Sequence, residues 1–228
     1  MKARISQIRQ EAQNTKTFRL DLNGTISFLP GQSIALKIND PKNNIIDQKR
    51  YYSIASSPTQ PVLELLIKDN PASQVGHHIY ANFALGEEIH IEGPYGKMCL
   101  TQAADTVTLI AGGSGIAPLM SILRYLADKH PETKINLFYS TKKAEEAAFL
   151  DELEDLKQRG YLSYIHTVTQ EPAWKGPKGR IDKTFLEQHL PTREGIYFIC
   201  GPSDMIKDVT NHLKNLGIKE EAIIVEKY

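Results

Sequence analysis

Residues 112–118 read Gly-Gly-Ser-Gly-Ile-Ala-Pro. They follow an apolar run at 107–111 and precede Leu119, Ile122, Leu123 and Leu126, which share one helical stripe. Glycines between a strand and a helix let backbone come close to a ligand. The first amides of the helix have no partner of their own and carry partial positive charge. This is phosphate-binding chemistry, with Gly112, Gly113, Ser114, Gly115, Ile116, Ala117 and Pro118 as the cradle. A tight strand-to-helix turn would use the same glycines. The stretch also departs from G-x-G-x-x-G, since Pro118 stands where the last glycine would fall.

A second group lies upstream, Arg50-Tyr51-Tyr52-Ser53. In a strand, Arg50 and Tyr52 share one face and Ser53 points the other way unless the strand bends. Arg50 could hold a phosphate bidentately, and Tyr52 could stack on a flat ring. An exposed arginine beside core tyrosines is the plainer alternative. Other marks are Gly93-Pro94-Tyr95-Gly96, Cys200-Gly201-Pro202 and the terminal Val225-Glu226-Lys227-Tyr228. A hairpin turn, a strand end entering a capped helix and a frayed tail would account for these in turn.

The elements that position these groups change character near residue 103. Before it, short runs at 4–10, 15–22, 33–38, 50–55, 62–68 and 88–92 alternate with Gly, Pro, Asn and Asp breaks. Six short strands without long helices predict a small antiparallel β-barrel, with one short helix at 76–83. After it, strands at 107–111, 135–139, 162–168, 196–200 and 222–226 alternate with helical stretches, which predicts a doubly wound parallel α/β sheet. The division falls at 1–103 and 104–228, with 102–105 as linker.

Composition narrows the class. Lys plus Arg number 27 and Asp plus Glu number 27, a balance that argues against a nucleic-acid binder. Cys99 and Cys200 are too few for a cluster or a structural zinc site, and Cys99 reads as a barrel core residue. No run of 18 apolar residues exists, so no membrane span is expected, and the N-terminus lacks the apolar core of a signal peptide; the expectation is a cytoplasmic protein. The adjacent His77-His78 have no third ligand at metal spacing, so no metal is assigned. The acidic run 145–155 reads as the wet face of a helix.

In this combination and order the motifs resemble the ferredoxin–NADP reductase family of flavoproteins, over essentially the whole chain. The resemblance implies FAD, with FMN the weaker candidate, in the barrel and a nicotinamide dinucleotide in the second domain. It places Arg50 on the flavin phosphate, Tyr52 (with Tyr51 beside it) against the isoalloxazine and Ser53 near flavin N5. Ile67 and Lys68 flank the flavin nucleotide, and Ser73, Gln74, Val75 and Gly76 occupy its second phosphate loop. The family's usual hydroxyl near 76 is replaced here by Gly76. Pro30-Gly31-Gln32 matches a family turn in the barrel. Gly112 to Pro118 matches the pyrophosphate loop, and Cys200, Gly201 and Pro202 the strand end facing nicotinamide. Tyr228 matches an aromatic cover over the flavin and Glu226 a proton-relay carboxylate. Ser53, Cys200, Glu226 and Tyr228 are thus the expected catalytic set. The implied reaction is hydride transfer between nicotinamide C4 and flavin N5.

After the strand at 135–139 come Ser140, Thr141, Lys142 and Lys143, where the family often holds the 2′-phosphate of NADPH. Lysines suit the start of a helix poorly, which favours an anion there. No acidic residue closes the strand to hold a ribose diol, so NADPH is expected over NADH. Lys178 and Arg180 are further candidates for the adenosine phosphate. The expected partner is a separate one-electron carrier, ferredoxin or flavodoxin or another redox protein. A free flavin reductase, an oxygenase reductase component and a flavin-binding electron-transfer subunit of a larger complex are the alternatives.

Overall fold

A computed structural model describes residues 1–227; Tyr228 lies outside the described residues, and with it the expectation of a ring cover. The first half is β1 (Lys2–Ala12), β2 (Thr15–Leu22), β3 (Ser33–Asp40), β4 (Ile45–Ser53), β5 (Leu63–Lys68), α1 (Gln74–Asn82) and β6 (Glu88–Tyr95). The second is β7 (Thr106–Gly112), α2 (Ile116–Lys129), β8 (Lys134–Thr141), α3 (Leu150–Gln158), β9 (Ser163–Val168), α4 (Lys183–His189), β10 (Ile196–Gly201), α5 (Ser203–Asn215) and β11 (Ile223–Lys227).

The first six strands form one antiparallel sheet in the order β4-β3-β6-β1-β2-β5. Alternation drives it inward: Ile5, Phe18, Leu20, Ile34, Leu36, Leu65, Ile67 and Ile91 fill a single core. An antiparallel bridge between Ile54 and Leu65 joins the two edges, with the Ala55 amide donating to the Glu64 carbonyl at 2.7 Å. The sheet therefore closes, as the sequence predicts.

The second sheet is parallel, in the order β11-β10-β7-β8-β9. Its strands are covered on both faces, which is why they read as continuous apolar runs. Leu109, Leu137, Tyr139 and Phe198 face α2 and α3, whereas Ile110, Phe138, Tyr197 and Ile199 face α4 and α5. The first of these cores also takes in Ala55, Leu66, Met98 and Leu100 of the barrel side. The two sheets thus share apolar packing through α2.

Three local expectations are corrected. Residues 142–146 do not begin a helix: β8 runs to Thr141, a 3₁₀ turn covers Ala144–Glu146, and α3 starts only after Phe149 in a left-handed conformation (φ 62°). The helix-end argument for Lys142 therefore lapses. The acidic run is a solvated face only in part: Glu145, Asp151, Glu154 and Asp155 are exposed, whereas Glu146 pairs with Lys68 at 2.7 Å and Glu152 with Arg124 at 2.6 Å. Cys99 is partly exposed, with its thiol 3.7 Å from the Lys97 carbonyl, while its neighbours Met98 and Leu100 fill the core.

Among the described residues, no helix is long and apolar enough to cross a membrane, and no group of three or more His, Cys, Asp or Glu could hold a metal ion.

Candidate functional site

The strand order reverses at β7, whose neighbours are β10 on one side and β8 on the other. In such sheets a crevice opens beyond the carboxyl ends of the strands flanking the reversal. The glycine turn leaves β7 there, and Cys200-Gly201-Pro202 leaves β10. A Cβ on Gly112 would lie 2.5 Å from the Met205 sulfur, and one on Gly115 would run into the Cys200 carbonyl. Gly201 packs closely on Gly112 as well. These glycines let two chain crossings touch. Gly113 differs: its φ is +55° and nothing lies within 4 Å of where a Cβ would sit, which leaves its side of the turn open.

The helices leaving these turns are uncapped. Neither the residue before α2, Gly115, nor that before α5, Pro202, supplies a side-chain cap; at α2 the 3₁₀ turn Gly113–Gly115 runs straight into the helix, the Ile116 amide donates to the Gly113 and Ser114 carbonyls, and Pro118 has no amide hydrogen. They differ in charge. Asp204 occupies the first turn of α5, while the first turn of α2 holds no acidic residue. An anion is directed to the α2 end.

A cleft of about 590 Å³ extends from this point. Gly112, Gly113, Ser114 and Pro202 wall one end, and Ser140, Thr141, Lys142, Thr169, Gln170 and Arg180 the other. Lys142 and Arg180 make no ion pair among the described residues and give the far end a positive charge. Lys178 is drawn away, its ammonium 2.7 Å from the Pro172 carbonyl. Thr141 is buried and its hydroxyl engaged, donating to the Lys143 carbonyl at 2.7 Å. Asp182, Asp204, Asp208 and His212, which carry no motif that marks them in the sequence, line the cleft along α4 and α5. Three of the four positions, 204, 208 and 212, recur every fourth residue of α5, a periodicity that could have exposed them.

On the barrel side, Arg50 is half-buried and its one side-chain hydrogen bond among the described residues is to the Lys49 carbonyl. An arginine left without a carboxylate suits an incoming phosphate. Tyr52 is half-buried against the barrel core, and burial pushes its hydroxyl up to about 12 against the opposing charge of Arg50. Tyr51 is 60% exposed and meets Tyr95 edge-on at 5.4 Å. Ser53 is buried on the opposite face from Tyr52 and pairs across the sheet with Ser33. Helix α1 packs beside β4, tied by the Gln74 side chain to the Asn43 carbonyl at 2.9 Å. Ser73 caps it, its hydroxyl accepting from the Gly76 amide at 3.1 Å. A Cβ at 76 would press on that hydroxyl, so Gly76 makes room for the cap. The amides of Gln74 and Val75 remain in the first turn, with no acidic residue nearby in the helix. Ile67 is buried in the barrel core, so only its backbone can face a ligand, whereas Lys68 lines the cleft.

The two sides meet at Glu226. Its carboxylate lies against Gly96, 3.3 Å from where a Cβ would sit, and the Ser33 hydroxyl is 3.8 Å from that same point. Through Ser33 it neighbours Ser53, and along the parallel sheet Glu226 pairs with Cys200. Cys200 itself is fully buried in the shared core. One Glu226 oxygen is buried with no hydrogen-bond partner among the described residues. Burial raises its pKa above the ordinary carboxylate value.

The residue that clasps the halves carries no motif. Arg124 of α2 donates to the Ala55 carbonyl at 2.8 Å and to Glu64 at 2.9 Å, and forks onto both oxygens of Glu152 at 2.7 and 2.6 Å. Ser121 donates to the Ser56 carbonyl at 2.7 Å. An arginine between Leu123 and Leu126 of a largely apolar helix was the available signal.

Two family models match the chain. The family model described as an oxidoreductase FAD-binding domain matches residues 2–99, and that described as an oxidoreductase NAD-binding domain matches 109–211. A relative, the 2-halobenzoate 1,2-dioxygenase electron transfer component of Burkholderia cepacia, is 26% identical over 233 residues, covering 100% of this chain and 67% of that protein. The FAD/NAD-binding domain of nitric oxide dioxygenase from Vibrio cholerae O1 biovar El Tor superposes with a TM-score of 0.90 at 21% identity, covering 100% and 98% of the two chains. A ferredoxin NADP+ reductase from Neisseria gonorrhoeae, solved with FAD and NADP, gives 0.82 at 23% identity, covering 100% and 98%. These two likenesses concern the fold. The chain spans about half to about two thirds of the length of the curated relatives it matches.

Proposed function

The chain belongs to the ferredoxin–NADP reductase family of FAD- and NAD-binding oxidoreductases, and from that premise we propose that it passes electrons between NADPH and a separate one-electron carrier, ferredoxin or flavodoxin. The observation that carries the reading is Glu226 of the parallel sheet lying against Gly96 and Ser33 of the barrel, beside the cross-strand partner of Ser53. It joins the barrel's chemistry to the crevice in one seam.

The residues fit a flavin nucleotide. Arg50 and the first-turn amides of Gln74 and Val75 offer donors to its phosphates, and Tyr52 offers an aromatic face beside them. When bound, FAD supplies exchange of a hydride with nicotinamide and of single electrons with the carrier. The chain's own task is orientation. The Gly112–Gly115 turn, at the positive end of α2, holds the pyrophosphate, and the backbone of Cys200 to Pro202 limits how deep the nicotinamide end can go. Lys142 and Arg180 receive the 2′-phosphate, which favours NADPH over NADH by charge. Burial holds the Glu226 carboxyl above the ordinary carboxylate value, which suits it to take up and release a proton on this seam, and Ser53 lies one strand over, paired with Ser33.

An oxygenase partner is the second reading. It is favoured by the match of the whole of this chain to 67% of an oxygenase electron transfer component. The test is to load the protein with FAD and titrate it anaerobically with NADPH and NADH. Bleaching of the visible band at lower NADPH than NADH concentration is expected; a band that neither nucleotide bleaches overturns the reading. Reduced protein is then mixed with ferredoxin, flavodoxin or an oxygenase, and the fastest oxidant identifies the partner class.

A further inference from the structure

The loop holding Lys142 is not held by itself. Thr141 ends β8, and its hydroxyl donates its single proton to the Lys143 carbonyl at 2.7 Å. The same oxygen lies 2.8 Å from His166 Nε2 on the neighbouring strand β9. A carbonyl only accepts, so the hydroxyl proton is spent there. The ring nitrogen must therefore carry a proton and donate, which sets the Nε2–H form of the imidazole. The chain of bonds runs His166 to Thr141 to Lys143 and closes the turn around Lys142.

Around it the two loops are laced together. The Gln170 amide donates to the Lys142 carbonyl at 2.8 Å, the Thr169 amide to the Thr141 carbonyl at 3.0 Å, and the Ala144 amide to Glu171 at 2.7 Å. His166 is wedged between the rings of Tyr139 and Trp174, each with centroids 5.4 Å away. Its ring cannot swing without breaking those contacts. Thr141, Lys142, Thr169 and Gln170 all line the cleft.

We propose that His166 is a positioning residue for dinucleotide discrimination. By donating to Thr141 it locks the 141–143 turn and aims Lys142 at a phosphorylated adenosine ribose, although it touches no ligand itself. This rests on the assignment of that end of the cleft to the 2′-phosphate.

The test compares wild type, His166→Leu and His166→Gln, whose amide retains a donor. Binding of adenosine 2′,5′-bisphosphate and of 5′-AMP is measured by calorimetry on the FAD-loaded protein. Wild type is expected to prefer the bisphosphate. His166→Leu is expected to lose about five- to tenfold of that preference, a hydrogen bond's worth, with 5′-AMP affinity unchanged. His166→Gln is expected to restore it. The same split should appear in KM for NADPH against NADH, with kcat for NADH unchanged. A wild type that binds both probes equally overturns the 2′-phosphate assignment. A wild type that discriminates, with a His166→Leu protein that discriminates as well, overturns the role of His166 alone. Should His166→Leu fail to fold, Thr141→Val removes the same bond from its other end, and an unchanged preference in that variant likewise refutes the proposal.

Discussion

Gly115 backs onto the carbonyl of Cys200 with no room for a Cβ between them. The turn proposed to hold a phosphate is therefore also the packing joint between the ends of β7 and β10. Gly115→Ala must push two backbones apart and is expected to destabilise the protein by about 1–3 kcal/mol and to weaken dinucleotide binding. Gly113 has open space but a left-handed φ, so Gly113→Ala costs about 1 kcal/mol of strain and Gly113→Asn less. Denaturant unfolding of the three variants checks the order; equal losses would mean that packing does not distinguish the two glycines.

Arg124 ties barrel to parallel sheet. Its side chain is 11% exposed, and Glu64 and Glu152 outweigh the burial that opposes its charge, so it stays protonated. Arg124→Met strands both carboxylates and the Ala55 carbonyl. The expected loss is about 3 kcal/mol, at the low end for a buried pair because the Glu152 side chain is 35% exposed. Urea unfolding followed by tryptophan emission and by far-UV dichroism measures it, and non-coincident transitions would show the halves melting apart.

Arg50 has no carboxylate partner among the described residues. Arg50→Ala is expected to weaken flavin binding about tenfold or more, the range of one charge-assisted contact. The readout is the ratio of flavin to protein absorbance after gel filtration. A fully loaded variant would remove Arg50 from the phosphate site.

The pH dependence of stability follows from Glu226. Burial raises its folded pKa above the ordinary 4.5, so the folded state holds its proton longer than the unfolded chain does. That contribution is fully present below 4.5 and is lost as pH rises through the folded value. Glu226→Gln removes the loss. The variant should match wild type near pH 4 and melt about 1–3 °C higher at pH 7. A variant that melts lower at pH 7 would mean the carboxylate has a cation partner in solution.

The alternation of short strands and the switch to apolar runs near residue 103 made both sheets legible, because side-chain periodicity is a local property that burial on one or two faces imposes directly. The phosphate-type turn was legible for the same reason: glycine is needed where backbones approach, and that need shows in the chain itself. The tertiary structure alone decided which groups meet. Lys142 follows a strand end and precedes a 3₁₀ turn instead of opening a helix, since Phe149 in a left-handed conformation delays α3. Glu146 and Glu152 turned from a wet face into clasps because their partners, Lys68 and Arg124, are 78 and 28 residues away in sequence. Arg180 entered the cleft and Lys178 did not, though both stand beside Gly179. Charge pairs and cleft walls depend on contacts between distant segments, which no periodicity records.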